Sequence, residues 1–172
     1  QIELIFPNHP NNQEVITAFE SKKLKGIFDH PIFPEVIPTL NYFRERKIKT
    51  FISSSTKQEI ITRYCELNRI GDLVDNCVGY KPGFEKHEQI EFILKRFRMQ
   101  PDEVLFVSDS LRDYDFIKTK KMKFIGITRI FEKIEFQKNG LLSVSCLTDL
   151  VKLFIKSEKT FKSVEEVKLC GN

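Results

Sequence analysis

The chain has 172 residues, of which 41% are hydrophobic and 30% are charged, a composition typical of a globular domain. Its net charge of +4 comes from lysines spread along the sequence, so we expect no nucleic-acid partner. No hydrophobic run approaches the roughly 20 residues of a transmembrane helix, so we expect no membrane partner either.

The four cysteines show no Cys-x-x-Cys pair and no spacing typical of a metal site. Cys65, Cys77 and Cys146 lie in apolar contexts, which is typical of buried, reduced thiols. Reduced thiols favour a cytoplasmic location.

Hydrophobic periodicity predicts short strands that alternate with helices of ten to fifteen residues. In chain order we predict a helix over 34–47, a strand over 48–52, a helix over 56–70, a strand over 73–80, a helix over 87–97, a strand over 104–107, a helix over 111–122, a strand over 123–128 and a helix over 147–156. Thr56 and Glu59 have the spacing of a capping box, and Gly71 is a stop signal for the same helix. This order predicts an α/β fold, a Rossmann-like parallel sheet with flanking helices.

Polar residues follow two of the predicted strands, where ligands bind in open α/β sheets. Ser53 is the first polar residue after strand 48–52, and with Ser54 it is a candidate to hold a phosphoryl oxygen. Asp109 follows strand 104–107, and Asp113 lies one helical turn further on. Two carboxylates beside a helix N-terminus, which favours anions, suggest Mg²⁺ shared with a substrate phosphate.

A lysine completes this candidate site, since Lys86 precedes helix 87–97 and can neutralise a phosphate. Each residue also has a purely structural explanation: the serines as a helix N-cap, the acids as charges that complement a helix dipole. The order of hydroxyl, lysine and Asp-x-x-x-Asp along one α/β chain favours the functional interpretation.

Two stretches resemble the haloacid dehalogenase superfamily of hydrolases, a class dominated by Mg²⁺-dependent phosphatases. The stretch FPEVIPTLNYFRERKIKTFISSSTKQEI resembles the segment from the end of the cap to the second motif, and Ser53 matches its Ser/Thr. The stretch VLFVSDSLRDYDFIKTKKMKFIGIT resembles the fourth motif, Gly-Asp-x-x-x-Asp, with Ser108 in place of the glycine and Asp109 and Asp113 as its acids. The resemblance covers roughly residues 33–155.

The resemblance implies a third-motif lysine and a cap. Both Lys86, just before a helix, and Lys81, in the sequence YKPG, fit the lysine. Residues 1–33 are then the remnant of a small helical cap or a linker, residues 34–156 are the α/β core, and residues 157–172 are a tail or a short docking helix.

The first motif of the family, Asp-x-Asp-x-Thr/Val, is not found in the sequence. In LIFPNHP, Pro7 and His9 stand where its acids would be, and Asp29 in GIFDHPIF has no second Asp two residues on. Its first Asp attacks phosphorus and its second acts as acid and base. Three explanations stay open: the motif precedes Gln1, the site is degenerate, or the chain is another α/β protein such as a receiver-like or nucleotide-binding module.

The resemblance implies a Mg²⁺-dependent phosphomonoester phosphatase that forms an aspartyl phosphate, with its nucleophile outside the present sequence. Its substrate would be a small phosphorylated metabolite. The alternative is a catalytically inactive relative that binds a phosphate ligand or a protein partner.

Overall fold

The computed structural model describes residues 10–157, except for the side chains of Glu20 and Lys23. The chain divides into two compact units, Gln1–Phe33 and Pro34–Asn172. In the first unit, helix α1 covers Asn12–Asp29. The predictions for LIFPNHP and for the tail beyond residue 157 lie outside the described residues.

The second unit alternates helices and strands, which confirms the predicted α/β fold. The elements are α2 (Val36–Glu45), β1 (Phe51–Lys57), α3 (Gln58–Leu67), β2 (Asn76–Tyr80), α4 (Lys86–Phe97), β3 (Leu105–Ser108), α5 (Leu111–Ile117), β4 (Lys123–Ile127), α6 (Lys133–Lys138), β5 (Leu142–Val144) and α7 (147–157). Within residues 10–157, no helix is long and apolar enough to cross a bilayer.

The strands are parallel and form two hydrogen-bonded groups. β1 pairs with β2, and β3, β4 and β5 pair in that order. The β1–β2 register runs regularly from Phe51 opposite Asn76 to Ser53 opposite Val78, and it is irregular between Ser53 and Lys57. The end of β1 therefore departs from a regular strand at the predicted phosphoryl-binding serines.

Both faces of the three-stranded sheet are covered by side chains. Successive side chains of a strand point to opposite sides, so neighbouring residues pack in different clusters. Phe124 of β4 packs with Ile90 of α4 and Phe136 of α6. Its neighbour Ile125 and the buried Ile127 pack on the other side. That second cluster also contains Phe43 of α2, Val144 of β5 and Leu150 of α7. A sheet covered on both faces is a rigid support for groups at its edge.

The predicted start of β1 was wrong. Strand β1 begins at Phe51, because residues 48–50 make other contacts: the N–H of Ile48 donates to Phe43 O, and the N–H of Thr50 donates to an Asp75 carboxylate oxygen. Ser53 therefore lies within β1 and not after it.

The predicted capping box of the next helix was also wrong. Thr56 is a residue of β1, and its N–H donates to Ser54 Oγ. Lys57 is the N-cap of α3, and the helix ends at Leu67, before the Gly71 that the sequence suggested as its stop. Helix α6 and strand β5 were not predicted.

Gly126 of β4 lies where no side chain fits. A Cβ added there would overlap with Cε1 of Phe136, whose side chain is fully buried. The close approach of β4 and α6 therefore requires a glycine.

We expect Gly126→Ala to lower the free energy of unfolding by about 2 kcal/mol through overpacking against Phe136. Urea denaturation measures the change. Gly71→Ala is the matched control, because a Cβ on Gly71 meets no atom within 4 Å. Equal effects of the two substitutions would contradict the packing explanation.

Two thiols meet between α3 and β2. The Sγ atoms of Cys65 and Cys77 lie 3.4 Å apart. Burial raises the pKa of both thiols, that of Cys77 to about 12. Both groups are therefore thiols at neutral pH.

The free energy of unfolding should fall between about pH 9 and pH 12. Cys77 ionises near pH 9.0 in the unfolded chain and near pH 12 in the folded protein, so the folded state binds more protons in this range. The stability from this group is complete below pH 9 and is lost as the pH rises. Urea denaturation at several pH values should show a steeper loss for the wild type than for Cys77→Ala. Parallel curves would contradict the prediction.

Candidate active site

The amine of Lys86 joins two separate parts of the second unit. Lys86 is the first residue of α4, and the helix start is fixed by a capping box between Glu85 and Glu88. Its Nζ lies 3.1 Å from Asp113 Oδ2 and donates to the backbone oxygen of Ser53 at 3.3 Å. The side chains of Lys86 and Asp113 are each only 13% exposed, so solvent screens this ion pair weakly.

A second donor acts on the same carboxylate oxygen of Asp113. The hydroxyl of Ser108, the last residue of β3, donates to Asp113 Oδ2 at 2.6 Å. The N–H of Ser110 donates to Ser108 Oγ at 3.1 Å, which fixes the direction of that hydroxyl. Sequence analysis treated Ser108 only as a small replacement for glycine. A hydroxyl at a glycine position, five residues before an acid, was the available signal.

Gln89 is a further residue that sequence analysis missed. It lies one turn after Lys86 on α4 and is completely buried. The hydroxyl of Ser53 donates to Gln89 Oε1 at 2.7 Å, and Gln89 Nε2 donates to the backbone oxygens of Ser54 and Phe84. No signal in the sequence distinguished this glutamine from a surface residue of a helix.

Asp109 directly follows β3, as predicted, and is half-buried. Residues 10–157 contain no group of three or more His, Cys, Asp or Glu side chains that could hold a metal ion. Asp109 and Asp113 are hard oxygen donors, and Mg²⁺ is commonly held by one or two carboxylates together with water and substrate phosphate. The two residues therefore fit Mg²⁺ as part of its ligand set.

Lys81 lies elsewhere. Its backbone pairs with Phe84, and its exposed side chain lines an open cleft with Lys57 and Tyr80. The structure thus brings Lys86 together with Ser53 and Asp113, whereas Lys81 lines the cleft with Lys57 and Tyr80. The roles of these residues stay predictions.

A family model for haloacid dehalogenase-like hydrolases matches residues 5–127, which is more than half of the chain. The chain belongs to the haloacid dehalogenase-like hydrolases. A comparison of this hydrolase with curated proteins found no significant match.

Solved structures share the fold of this hydrolase. A haloacid dehalogenase-like hydrolase, SP0104 from Streptococcus pneumoniae, has a TM-score of 0.76 and 16% identity over 88% of this chain and 73% of its own. A predicted phosphatase from Clostridium acetobutylicum has a TM-score of 0.70 and 16% identity over 78% and 64% of the two chains. A predicted phosphoglycolate phosphatase from Haemophilus somnus 129pt has a TM-score of 0.62 and 17% identity over 71% and 56%. The chain thus spans less than two thirds of the last two proteins.

We expect Ser108→Ala to lower the free energy of unfolding by about 1.5 kcal/mol, because it removes a hydrogen bond to a charged group. Urea denaturation measures the loss. Ser143→Ala is the matched control: Ser143 Oγ is buried and has no hydrogen-bond partner among the described residues. That substitution should leave stability unchanged or raise it. A loss for Ser143→Ala as large as for Ser108→Ala would contradict the prediction.

Proposed function

We propose that this hydrolase is a Mg²⁺-dependent phosphatase of phosphomonoesters that acts through an aspartyl-phosphate intermediate. The contact of the Lys86 amine with both Ser53 O and Asp113 carries the proposal. It puts a cation between the β1 backbone at Ser53, where regular pairing with β2 ends, and a carboxylate that follows β3. Ligands of α/β sheets bind at the edge formed by the carboxyl ends of the strands.

We assign a role to each of these residues. The part of β1 that carries Ser53 and Ser54 binds a phosphoryl oxygen. Lys86 offsets the negative charge that the phosphoryl group and the attacking carboxylate bring together. Asp113 holds Lys86 in place through an ion pair, and the Ser108 hydroxyl orients that carboxylate.

Asp109 and Asp113 would hold Mg²⁺. When bound, the ion neutralises phosphoryl charge and orders the oxygens of the substrate. Because Asp113 Oδ2 already accepts bonds from Lys86 and Ser108, we assign direct ligation to Asp109 and a supporting role to Asp113.

The nucleophile of this proposal lies outside the present sequence, on a strand that precedes it. Among the described strands, β1 pairs with β2 alone and β3 pairs with β4 alone. Each of the two strands therefore has an edge that could pair with such a strand. A strand between them would end close to Lys86, which contacts the end of β1 and the start of α5.

We propose a small phosphorylated metabolite as the substrate and the cytoplasm as the location. The name of the Haemophilus somnus relative, a predicted phosphoglycolate phosphatase, supports a small phosphorylated acid as one candidate. Sugar phosphates and nucleotides are further candidates.

A non-catalytic protein that binds a phosphate ligand or a protein partner is the second candidate function. The observation that favours it is in the sequence: Pro7 and His9 stand where the acids of the first motif would be.

The test uses the protein purified from its source, with its intact mass and its hydrolysis of p-nitrophenyl phosphate measured with Mg²⁺ and with EDTA. We expect a mass above 20.2 kDa and turnover that requires Mg²⁺ and is lost in Asp109→Asn. Lys86→Met should lower kcat by about 100-fold or more, because it removes a charge that stabilises the transition state.

Lys81→Met is the matched control, since Lys81 lies at the separate cleft. It should leave kcat within about twofold of the wild type, which is the size expected for an exposed charge. The opposite pattern would assign the site lysine to Lys81. A mass of 20.2 kDa without turnover would contradict the phosphatase and favour the non-catalytic candidate.

A further inference from the structure

The Gln89 side chain is buried completely and still satisfies its polar atoms. Its carboxamide makes three hydrogen bonds, to Ser53 Oγ, Ser54 O and Phe84 O. Such a side chain on a helix that packs against a sheet is uncommon, because a buried polar group is costly unless it is bonded. Two of the three bonds connect α4 to β1 at the predicted phosphoryl-binding serines, and the third goes to Phe84, just before α4.

The chemistry of its partners fixes the orientation of the carboxamide. Ser54 O and Phe84 O only accept hydrogen bonds, so the Nε2 atom of Gln89 must face them. The Oε1 atom then faces Ser53 Oγ and can only accept. The single hydroxyl proton of Ser53 is therefore directed at Gln89.

Two consecutive backbone oxygens of β1 bond to α4. Lys86 Nζ donates to Ser53 O, and Gln89 Nε2 donates to Ser54 O. In a regular strand, consecutive carbonyls point to opposite sides, so this segment departs from strand geometry where the β1–β2 register becomes irregular.

We propose that Gln89 is a positioning residue for the phosphoryl-binding residues Ser53 and Ser54. It holds the Ser53 side chain and, together with Lys86, fixes the backbone oxygens of Ser53 and Ser54, so that this part of β1 is ordered before a phosphoryl group binds. The proposal rests on the proposed function. It gives a part in phosphoryl binding to a residue that makes no contact with the substrate.

The experiment measures binding of inorganic phosphate to the full-length protein by calorimetry, in the presence of Mg²⁺. We expect Gln89→Leu to raise Kd about tenfold, the loss typical of a buried hydrogen-bonding group. In a Ser53→Ala background the same substitution should raise Kd by less than in the wild type, because the bond to Ser53 is already absent and only the bond to Ser54 O remains to be lost. Ile93→Ala, a buried apolar change on the same helix, is the control for reduced stability and should leave Kd unchanged.

Gln89→Glu adds a readout that a merely structural role would not change. A protonated carboxyl accepts from Ser53 and donates to one backbone oxygen, whereas a carboxylate repels the oxygens of Ser54 and Phe84. The Kd of Gln89→Glu relative to the wild type should therefore fall as the pH is lowered from about 8 to about 5. A ratio that is independent of pH, equal losses with and without Ser53, or an effect matched by Ile93→Ala would overturn the proposal.

Wild-type protein that binds no phosphate would refute the proposed phosphoryl site and leave the role of Gln89 to a measurement without ligand. Amide hydrogen exchange over residues 53–57 should be faster in Gln89→Leu than in Ile93→Ala if Gln89 holds this segment. Equal exchange in the two variants would overturn the positioning role.

Discussion

The candidate site depends on the contacts that the Lys86 amine makes with Asp113 and Ser53. A lysine side chain that is only 13% exposed requires a partner, because removing an ammonium group from water is costly. Asp113 supplies the opposite charge, and the oxygen of Ser53 supplies a further acceptor. Loss of either neighbour would leave a charge inadequately compensated at the centre of the site.

The surrounding structure holds this contact in place. Asp113 lies on α5 and is oriented by Ser108, the last residue of β3, in a sheet that is buried on both faces. Lys86 lies on the first turn of α4, where a capping box fixes the helix start. Groups on regular elements are held more accurately than groups on loops, which suits chemistry that depends on the position of charge.

The sequence predicted those parts of the fold that depend on local pattern. The hydrophobic run before Asp109 predicted β3, and the apolar stripe of α4 predicted that helix. The predicted start of β1 was wrong because the true start depends on Asp75. Asp75 accepts a hydrogen bond from the N–H of Thr50, 25 positions away in the chain. Helix α6 and strand β5, of six and three residues, are too short for a periodic signal.

The candidate site also has parts that local sequence pattern predicts and parts that depend on contacts between distant residues. The spacing of Ser53, Asp109 and Asp113 was visible in the sequence, but the choice between Lys81 and Lys86 was not. That choice depends on the direction of α4, which brings Lys86 to Asp113. The roles of Ser108 and Gln89 depend on the directions of single hydrogen bonds, which spacing does not encode.

Helix α4 also has a consequence for how the second unit unfolds. No backbone hydrogen bonds join the two groups of strands among the described residues, and side chains of α4 contact both: Ile90 packs in the cluster of the three-stranded sheet, and Gln89 bonds to β1. Helix α4 therefore couples the unfolding of the two groups. An anion held between Ser53 and Asp113 would add a second link, so ligand binding would couple two regions whose local stabilities differ in the free protein.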